Sequence, residues 1–236
     1  HAYGRQATPE TLAGLTADDA RTFYRRFYNA RNATITLVGK ISRAEAEAIA
    51  ERLAAILPPG QPAGLPAPPM APPELVRKIG HPASQSHIHL GVPAIERGHP
   101  DFFPLLVGNY SLGGGGFVSR LMKEVRERRG YDYSVYSYFA PLRQAGPFQI
   151  GLQTKRAQAG DALALTRSIL REFIRNGPSE EELAAAKANL TGSFPLRLDS
   201  NRKILDNVAV IGFYGLPLDY LQTYRQKIDA VTVEQV

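Results

Sequence analysis

The sequence contains no cysteine among its 236 residues, and this absence removes several kinds of chemistry at once. Without a thiol, the chain has no disulfide framework, no thiolate nucleophile and no cysteine-liganded metal. Long apolar runs are absent as well, so the sequence predicts no helix that spans a membrane. The chain starts at His1 and shows no basic-then-apolar signal segment, and we expect it to be an excised part of a longer protein.

Histidine is scarce, and its spacing excludes the usual zinc peptidase motifs. Such a peptidase needs two histidines one helical turn apart and a carboxylate base. Neither His-Glu-x-x-His nor His-x-x-Glu-His occurs, and the five histidines are His1, His81, His87, His89 and His99. His87 and His89 share one face of a predicted strand, where a metal is one interpretation, but no acidic third ligand lies nearby and we favour a polar strand face. The sequence therefore predicts no catalytic residue and no metal ligand in this chain.

Residues 113–116 are four consecutive glycines, and they raise the question of a phosphate-binding loop. A Walker loop requires Gly-Lys-Ser/Thr next, whereas Phe117-Val118-Ser119 follow here. A helix N-terminus can still bind an anion, but we favour close backbone packing at the entrance to a helix. Serine hydrolysis is not expected either, because no Gly-x-Ser-x-Gly sequence occurs.

The net charge of +6 raises the question of nucleic acid, which basic proteins often bind. The arginines are scattered, however, and many have acidic neighbours rather than forming one basic stripe. The acidic neighbours include Glu124, Glu127, Glu172 and Glu180. We expect a mixed-charge surface with neither a nucleic-acid nor a membrane partner.

Capping and periodicity predict the order of helices and strands. A helix capped by Thr16, a strand over 32–39 and a helix capped by Ser42 come first. Eight prolines over residues 57–73 then predict an extended linker. After it we predict strands at 84–92, 131–139 and 148–154, and helices at 101–110, 116–129, 159–176, from Ser179, 201–211 and 219–228. Strands and helices that group separately indicate an α+β fold, with helices on one face of a mixed, largely antiparallel sheet.

Arg126 and Tyr133 are the candidate site residues. Arg126 ends the helix predicted at 116–129, and Tyr133 follows seven residues later on a strand, after a break at Gly130. The break folds the strand back, so a guanidinium and a phenol could converge and hold a peptide carbonyl or carboxylate. A surface arginine and a tyrosine packed across a sheet remain the alternative on spacing alone.

Residues 112–137, LGGGGFVSRLMKEVRERRGYDYSVYS, resemble the second-domain signature of the pitrilysin, insulysin and mitochondrial processing peptidase family. The opening HAYGR with TPETL resembles the late part of that family's first domain, and FPLRLDSNR with VIGFYGLPLDY is similar to bacterial two-domain members. The resemblance implies a LuxS/processing-peptidase-like metallopeptidase fold. It also implies a first-domain remnant over 1–57, the linker over 58–75 and a second domain over 76–236.

In this family the second domain binds substrate without holding zinc, through an arginine and a tyrosine seven residues apart. Those positions match Arg126 and Tyr133, which the resemblance makes substrate-binding. We therefore expect a chain that is inactive alone and binds peptide for a zinc-bearing domain or partner subunit, with zinc held there and no cofactor in this chain. A periplasmic bacterial heterodimer is the favoured setting. A self-sufficient two-domain zinc endopeptidase and a non-enzymatic scaffold, like core subunits of the respiratory cytochrome complex, are the alternatives.

Overall fold

The computed structural model describes residues 6–68 and 75–236. These residues form two compact units. Residues 197–216 group with the amino-terminal segment, and the second unit is built from the rest of the chain after residue 69. The predicted linker at 58–75 lies partly outside the described residues, and the predicted domain boundaries stay a prediction.

The first unit consists of short helices, and two of them start where capping predicts. Thr16 begins helix α2 (Ala17–Phe27) with a reciprocal capping box, because its hydroxyl accepts from the Asp19 amide while the Asp19 carboxylate accepts from the Thr16 amide. Ser42 and Glu45 begin helix α3 (Arg43–Ile56) in the same way. Both predicted helices are confirmed. The helices of this unit are α1 (Pro9–Ala13), α2 (Ala17–Phe27), α3 (Arg43–Ile56) and α7 (Asn201–Tyr214).

The strand predicted over 32–39 is wrong. A short 3₁₀ turn occupies Ala30–Asn32, and residues 33–38 are neither helix nor strand. The β-branched sequence there has strand propensity, but a strand also needs a neighbour that completes its hydrogen bonds. Within the described part of the chain, no segment pairs with these residues.

The second unit is built on a three-stranded sheet. Its strands are β1 (Gln85–Pro93), β2 (Tyr136–Phe139) and β3 (Pro147–Lys155), in the order β1-β3-β2, and both pairings are antiparallel. Alternation along β1 turns Ile88 and Leu90 toward the core and leaves His87 and His89 exposed. The sheet therefore has one apolar face and one polar face.

Helices pack against this sheet in two tiers. Helices α4 (Phe102–Asn109) and α5 (Ala159–Asn176) contact its strands, and α6 (Glu180–Gly192) and α8 (Tyr220–Asp229) pack against α4. Helix α5 contacts β1 and β3, and its Ala162, Ile169 and Phe173 join Ile150 and Leu152 of the sheet in the core. The predicted α+β class with helices on one face is confirmed. Among the residues that the structure describes, no helix combines the length and apolar character needed to cross a bilayer.

The segment between α4 and β2 departs most from the prediction. In place of one helix over 116–129, the chain forms a 3₁₀ turn at Gly116–Val118 and a wide π-helical segment at Met122–Arg128. The predicted strand over 131–139 is confirmed only at Tyr136–Phe139, because the preceding residues bulge away after a single bridge between Asp132 and Thr154. Both irregularities lie where Arg126 and Tyr133 are found, as is frequent at functional sites.

Candidate functional site

The glycines at 113–116 allow α4 and β2 to pack against each other. A Cβ atom on Gly113 would overlap the Ser137 hydroxyl, and one on Gly114 would overlap the Asn109 side chain. Asn109 and Ser137 in turn bind each other, since the Ser137 hydroxyl donates to Asn109 Oδ1 at 2.7 Å. The interpretation of this run as close packing is confirmed, and Gly116 also needs its freedom because its φ is 61°.

The π-helical segment places Arg126 at the edge of the core. Its neighbours Leu121, Met122 and Val125 are buried against the sheet and α5, which fixes the face that Arg126 presents. The segment ends at Gly130, which adopts a left-handed φ of 62° and donates its amide to the Arg126 carbonyl at 2.9 Å. This turn reverses the chain toward β2.

The reversal brings the two predicted site residues together. The Arg126 guanidinium carbon lies 4.8 Å from the centre of the Tyr133 ring and 4.7 Å from the centre of the Phe117 ring. Two aromatic rings at these distances stabilise a cation through their electron-rich faces. The proximity of Arg126 and Tyr133 is observed, and their role in binding substrate stays a prediction.

The Arg126 guanidinium has N–H donors available for a ligand. Within residues 6–68 and 75–236, it forms no hydrogen bond and no ion pair, whereas its neighbour Arg128 is paired with Glu124 at 2.7 Å. Tyr133 is 77% exposed and Phe117 is 63% exposed, so both rings are accessible beside this cation. An arginine and a phenol in this arrangement can bind a carbonyl or carboxylate oxygen, but they supply neither a nucleophile nor a base.

A partly buried ion pair between Arg120 and Glu182 anchors the chain directly before the π-helical segment. The Arg120 Nε and Nη2 atoms donate to the two Glu182 carboxylate oxygens at 2.8 and 2.6 Å, and Nη2 also donates to the Gly177 carbonyl at 3.0 Å. The hydrogen bond to Glu182 raises the pKa of Arg120 above its usual value. Burial works to raise the pKa of Glu182, but hydrogen bonds from Arg120 and the Ser179 amide prevail and lower it.

The histidines do not form a metal site in the described residues. His87 lies opposite Gln153 and His89 lies opposite Gly151 on the exposed face of the sheet, in agreement with the polar strand face that we favoured. His99 Nδ1 accepts from the Asp101 amide, and His1 lies outside the described residues. No group of three histidine, aspartate or glutamate side chains in the described ranges is placed to hold a metal ion, so these residues do not fit the family's zinc.

Sequence reasoning named Arg126 and Tyr133 but missed two residues that the structure places around them. Phe117 was noted only as the residue that breaks a phosphate-loop motif, and Asp132 had no assigned role. Their contacts depend on the bulge and the π-helical turn, which local periodicity does not predict. The one signal in the sequence for Phe117 is its position as an aromatic residue directly after a glycine run.

Comparison with known proteins gives this arrangement a context. Residues 14–190 match the family model described as the peptidase M16 inactive domain, which is most of the chain. The chain belongs to this family. The structure of a peptidase M16 inactive domain from Pseudomonas fluorescens superimposes with a TM-score of 0.91 at 39% identity, covering 96% of this chain and 54% of that one.

Relatives of the M16 inactive domain carry contrasting names. An uncharacterized zinc protease of Streptomyces coelicolor is 31% identical over 86% of this chain and 45% of its own length. A non-peptidase homolog, YmxG, of Helicobacter pylori is 37% identical over 52% of this chain and 28% of its own length. The chain spans about half the length of the Streptomyces coelicolor protein and of the Pseudomonas fluorescens chain. The match is to the inactive domain of zinc protease-like proteins, and a non-catalytic role fits it.

Proposed function

We propose that this chain is the peptide-binding, non-catalytic part of a bacterial zinc metallopeptidase and acts in the periplasm with a zinc-bearing domain or partner subunit. The observation that carries the proposal is the Arg126 guanidinium, which lies 4.7 and 4.8 Å from the centres of two exposed aromatic rings and has no hydrogen-bond partner in the described residues. A partly exposed arginine beside a phenol offers N–H and O–H donors to a ligand that supplies acceptor oxygens, which supports this proposal.

The chemistry of a peptide fits these two side chains. A peptide carbonyl oxygen has two lone pairs, so it can accept hydrogen bonds from a guanidinium and a phenol at once. The Phe117 and Tyr133 rings lie beside the guanidinium and supply no hydrogen-bond acceptor of their own in these ring contacts, so its N–H groups can donate to a ligand. The role of this pair is therefore to orient the peptide, a contribution that comes from positioning rather than bond cleavage.

Cleavage is assigned to another domain or chain because the described residues do not fit zinc. The names of the relatives support two sources of zinc, a domain of the same polypeptide and a separate chain. The name of the Streptomyces coelicolor protein, twice as long as the matched region, is consistent with a zinc half in the same polypeptide. The non-peptidase name of the Helicobacter pylori relative is consistent with a separate zinc-bearing partner, which is the arrangement we favour.

Peptide binding to this chain is measured by titration calorimetry with a capped, uncharged peptide. Arg126→Ala is expected to weaken binding at least tenfold, since hydrogen bonds to a charged group contribute about 1.5–3 kcal/mol. Tyr133→Phe is expected to weaken binding by a smaller factor. Arg128→Ala is the matched control, because Arg128 lies on the same turn but is already paired with Glu124. Equal binding by all of these variants would contradict the assignment.

The source of zinc is tested by hydrolysis of a fluorogenic peptide. The full-length parent protein is assayed with zinc, first alone and then with its zinc-bearing partner. Turnover only in the mixture supports the two-chain arrangement, whereas turnover by the parent alone overturns it in favour of a self-sufficient endopeptidase. A protein that neither binds peptide nor supports turnover in any mixture is a scaffold. Cell fractionation of the parent tests the periplasmic setting.

A further inference from the structure

Tyr133 has few contacts that could hold it in place. Its side chain is 77% exposed, and the ring contact to the Arg126 guanidinium is the interaction that the structure shows for it. A side chain with so little packing is positioned by the backbone that carries it. The question is therefore what fixes the irregular backbone between Gly130 and β2.

The Asp132 carboxylate holds this backbone through hydrogen bonds. Asp132 is 7% exposed, and its Oδ1 accepts from the Ser134 amide at 2.7 Å. Its Oδ2 accepts from the Gln153 amide of β3 at 2.8 Å. One side chain therefore ties the backbone directly after Tyr133 to the neighbouring strand, and charged acceptors make such bonds stronger than neutral ones.

The backbone directly before Asp132 is tied as well. The Thr154 hydroxyl of β3 donates to the Tyr131 carbonyl, and the Tyr131 amide donates to the Val125 carbonyl at 3.0 Å. Tyr133 thus lies on a short arch whose two ends are bound to β3 and to the segment that carries Arg126. Without the Asp132 carboxylate, the backbone on either side of Tyr133 would lose its side-chain ties to the Ser134 and Gln153 amides and would keep the bridge between residues 132 and 154 and the pairing of β2 that begins at Tyr136.

We propose that Asp132 is the positioning residue that holds Tyr133 over Arg126. The carboxylate is suited to this role because it has two acceptor oxygens for two backbone amides. An asparagine at the same position has one acceptor oxygen and would turn an N–H₂ group toward one of the amides. The effect on substrate rests on the proposed peptide-binding function, whereas the effect on the Tyr133 ring does not.

The position of the ring is tested first, without any peptide. The chain contains no tryptophan, so Tyr133→Trp introduces a single tryptophan at the site, which is excited selectively over the tyrosines. We expect Asp132→Asn in this background to lower the steady-state anisotropy of the tryptophan and change its quenching by Arg126. Glu127→Gln removes an exposed carboxylate nearby and is the control. An unchanged anisotropy and lifetime in the Asp132 variant would overturn the proposal.

The functional consequence is tested by a double-mutant cycle on peptide affinity. Asp132→Asn is expected to weaken binding about tenfold when Tyr133 is present and to have no further effect in a Tyr133→Ala background. Additive losses would overturn the proposal, because they would mean that Asp132 acts elsewhere. If the unmodified chain binds no peptide, the proposed function fails while the tryptophan measurement still decides the positioning role.

Loss of folding is distinguished by circular dichroism and by a second, milder variant. Thr154→Val keeps the side-chain shape but removes the hydroxyl bound to the Tyr131 carbonyl. It is expected to change the tryptophan signal in the same direction as Asp132→Asn, by a smaller amount. A fully folded Thr154→Val variant of the Tyr133→Trp protein whose tryptophan signal is unchanged would show that the arch does not depend on the tie between Thr154 and Tyr131.

Discussion

The ion pair between Arg120 and Glu182 permits a quantitative test of what stabilises the segment that carries Arg126. Arg120 lies six residues before Arg126, and Glu182 lies near the start of α6, so the pair joins the site segment to the helix layer. Replacing Arg120 with methionine keeps a long apolar side chain and removes the charge. It leaves the Glu182 carboxylate with the Ser179 amide as its remaining partner.

The magnitude follows from the exposure of the pair. Removing one partner of a fully buried ion pair destabilises a protein by about 3–5 kcal/mol, whereas a hydrogen bond to a charged group contributes about 1.5–3 kcal/mol. The Arg120 and Glu182 side chains are 21% and 23% exposed, so water partly replaces what is lost. The contact of the guanidinium with the Phe173 ring, at 5.1 Å, is lost as well. We therefore expect Arg120→Met to lower the free energy of unfolding by about 2–3 kcal/mol.

Arg128→Met is the matched control, because it breaks an exposed pair with Glu124 on the same segment. Its side chain is 71% exposed, and such pairs contribute about 0.3–0.5 kcal/mol. Urea unfolding is followed by hydrogen exchange in α5 and α6, which belong to the unit that holds the pair. With an m-value of about 2 kcal/mol/M, Arg120→Met lowers the midpoint by about 1 M. Similar midpoints for the two variants would refute the reasoning.

Three further expectations concern the same unit. The stabilising effect of Glu182 should be complete above the ordinary glutamate pKa of about 4.3 and be lost as pH falls through its lowered folded pKa. The stability difference between the unmodified chain and Arg120→Met should therefore shrink below about pH 4 in acid titrations. Gly130→Ala should cost about 1–2 kcal/mol of unfolding free energy, because alanine disfavours the φ of 62°; a neutral effect in urea would contradict this. Gly151→Ala would place a methyl 2.5 Å from Cζ of Tyr136, so the ring must move, which the chemical shifts of that tyrosine report.

The regular part of the fold was predictable because its signals are local. The capping boxes at Thr16 and Ser42, and the glycine with positive φ that ends α5 at Gly177, each act within a few residues. The alternation of β1 likewise indicated which face is apolar. The strand over 32–39 failed for the complementary reason, since strand formation depends on a partner that propensity alone does not specify.

The site was predictable in its members but not in its geometry. The spacing of Arg126 and Tyr133 around Gly130, together with the family resemblance, named the pair. The contact with Phe117 requires the turn at Gly116–Val118, and the position of Tyr133 requires the tie from Asp132 to β3. Neither the Phe117 contact nor the tie from Asp132 can be inferred from periodicity, because both depend on irregular backbone outside the regular helices and strands.

The sequence by itself determined the class of fold and the lack of a zinc peptidase motif, because these follow from residue types and their spacing along the chain, and its resemblance to known sequences indicated the family. Only the tertiary structure decided that the Arg126 guanidinium lies near two aromatic rings, and that the buried Asp132 carboxylate accepts from the amides of Ser134 and Gln153. The physical reason is that burial and hydrogen bonding between distant segments, such as Asp132 and Gln153, exist only once the sheet has formed.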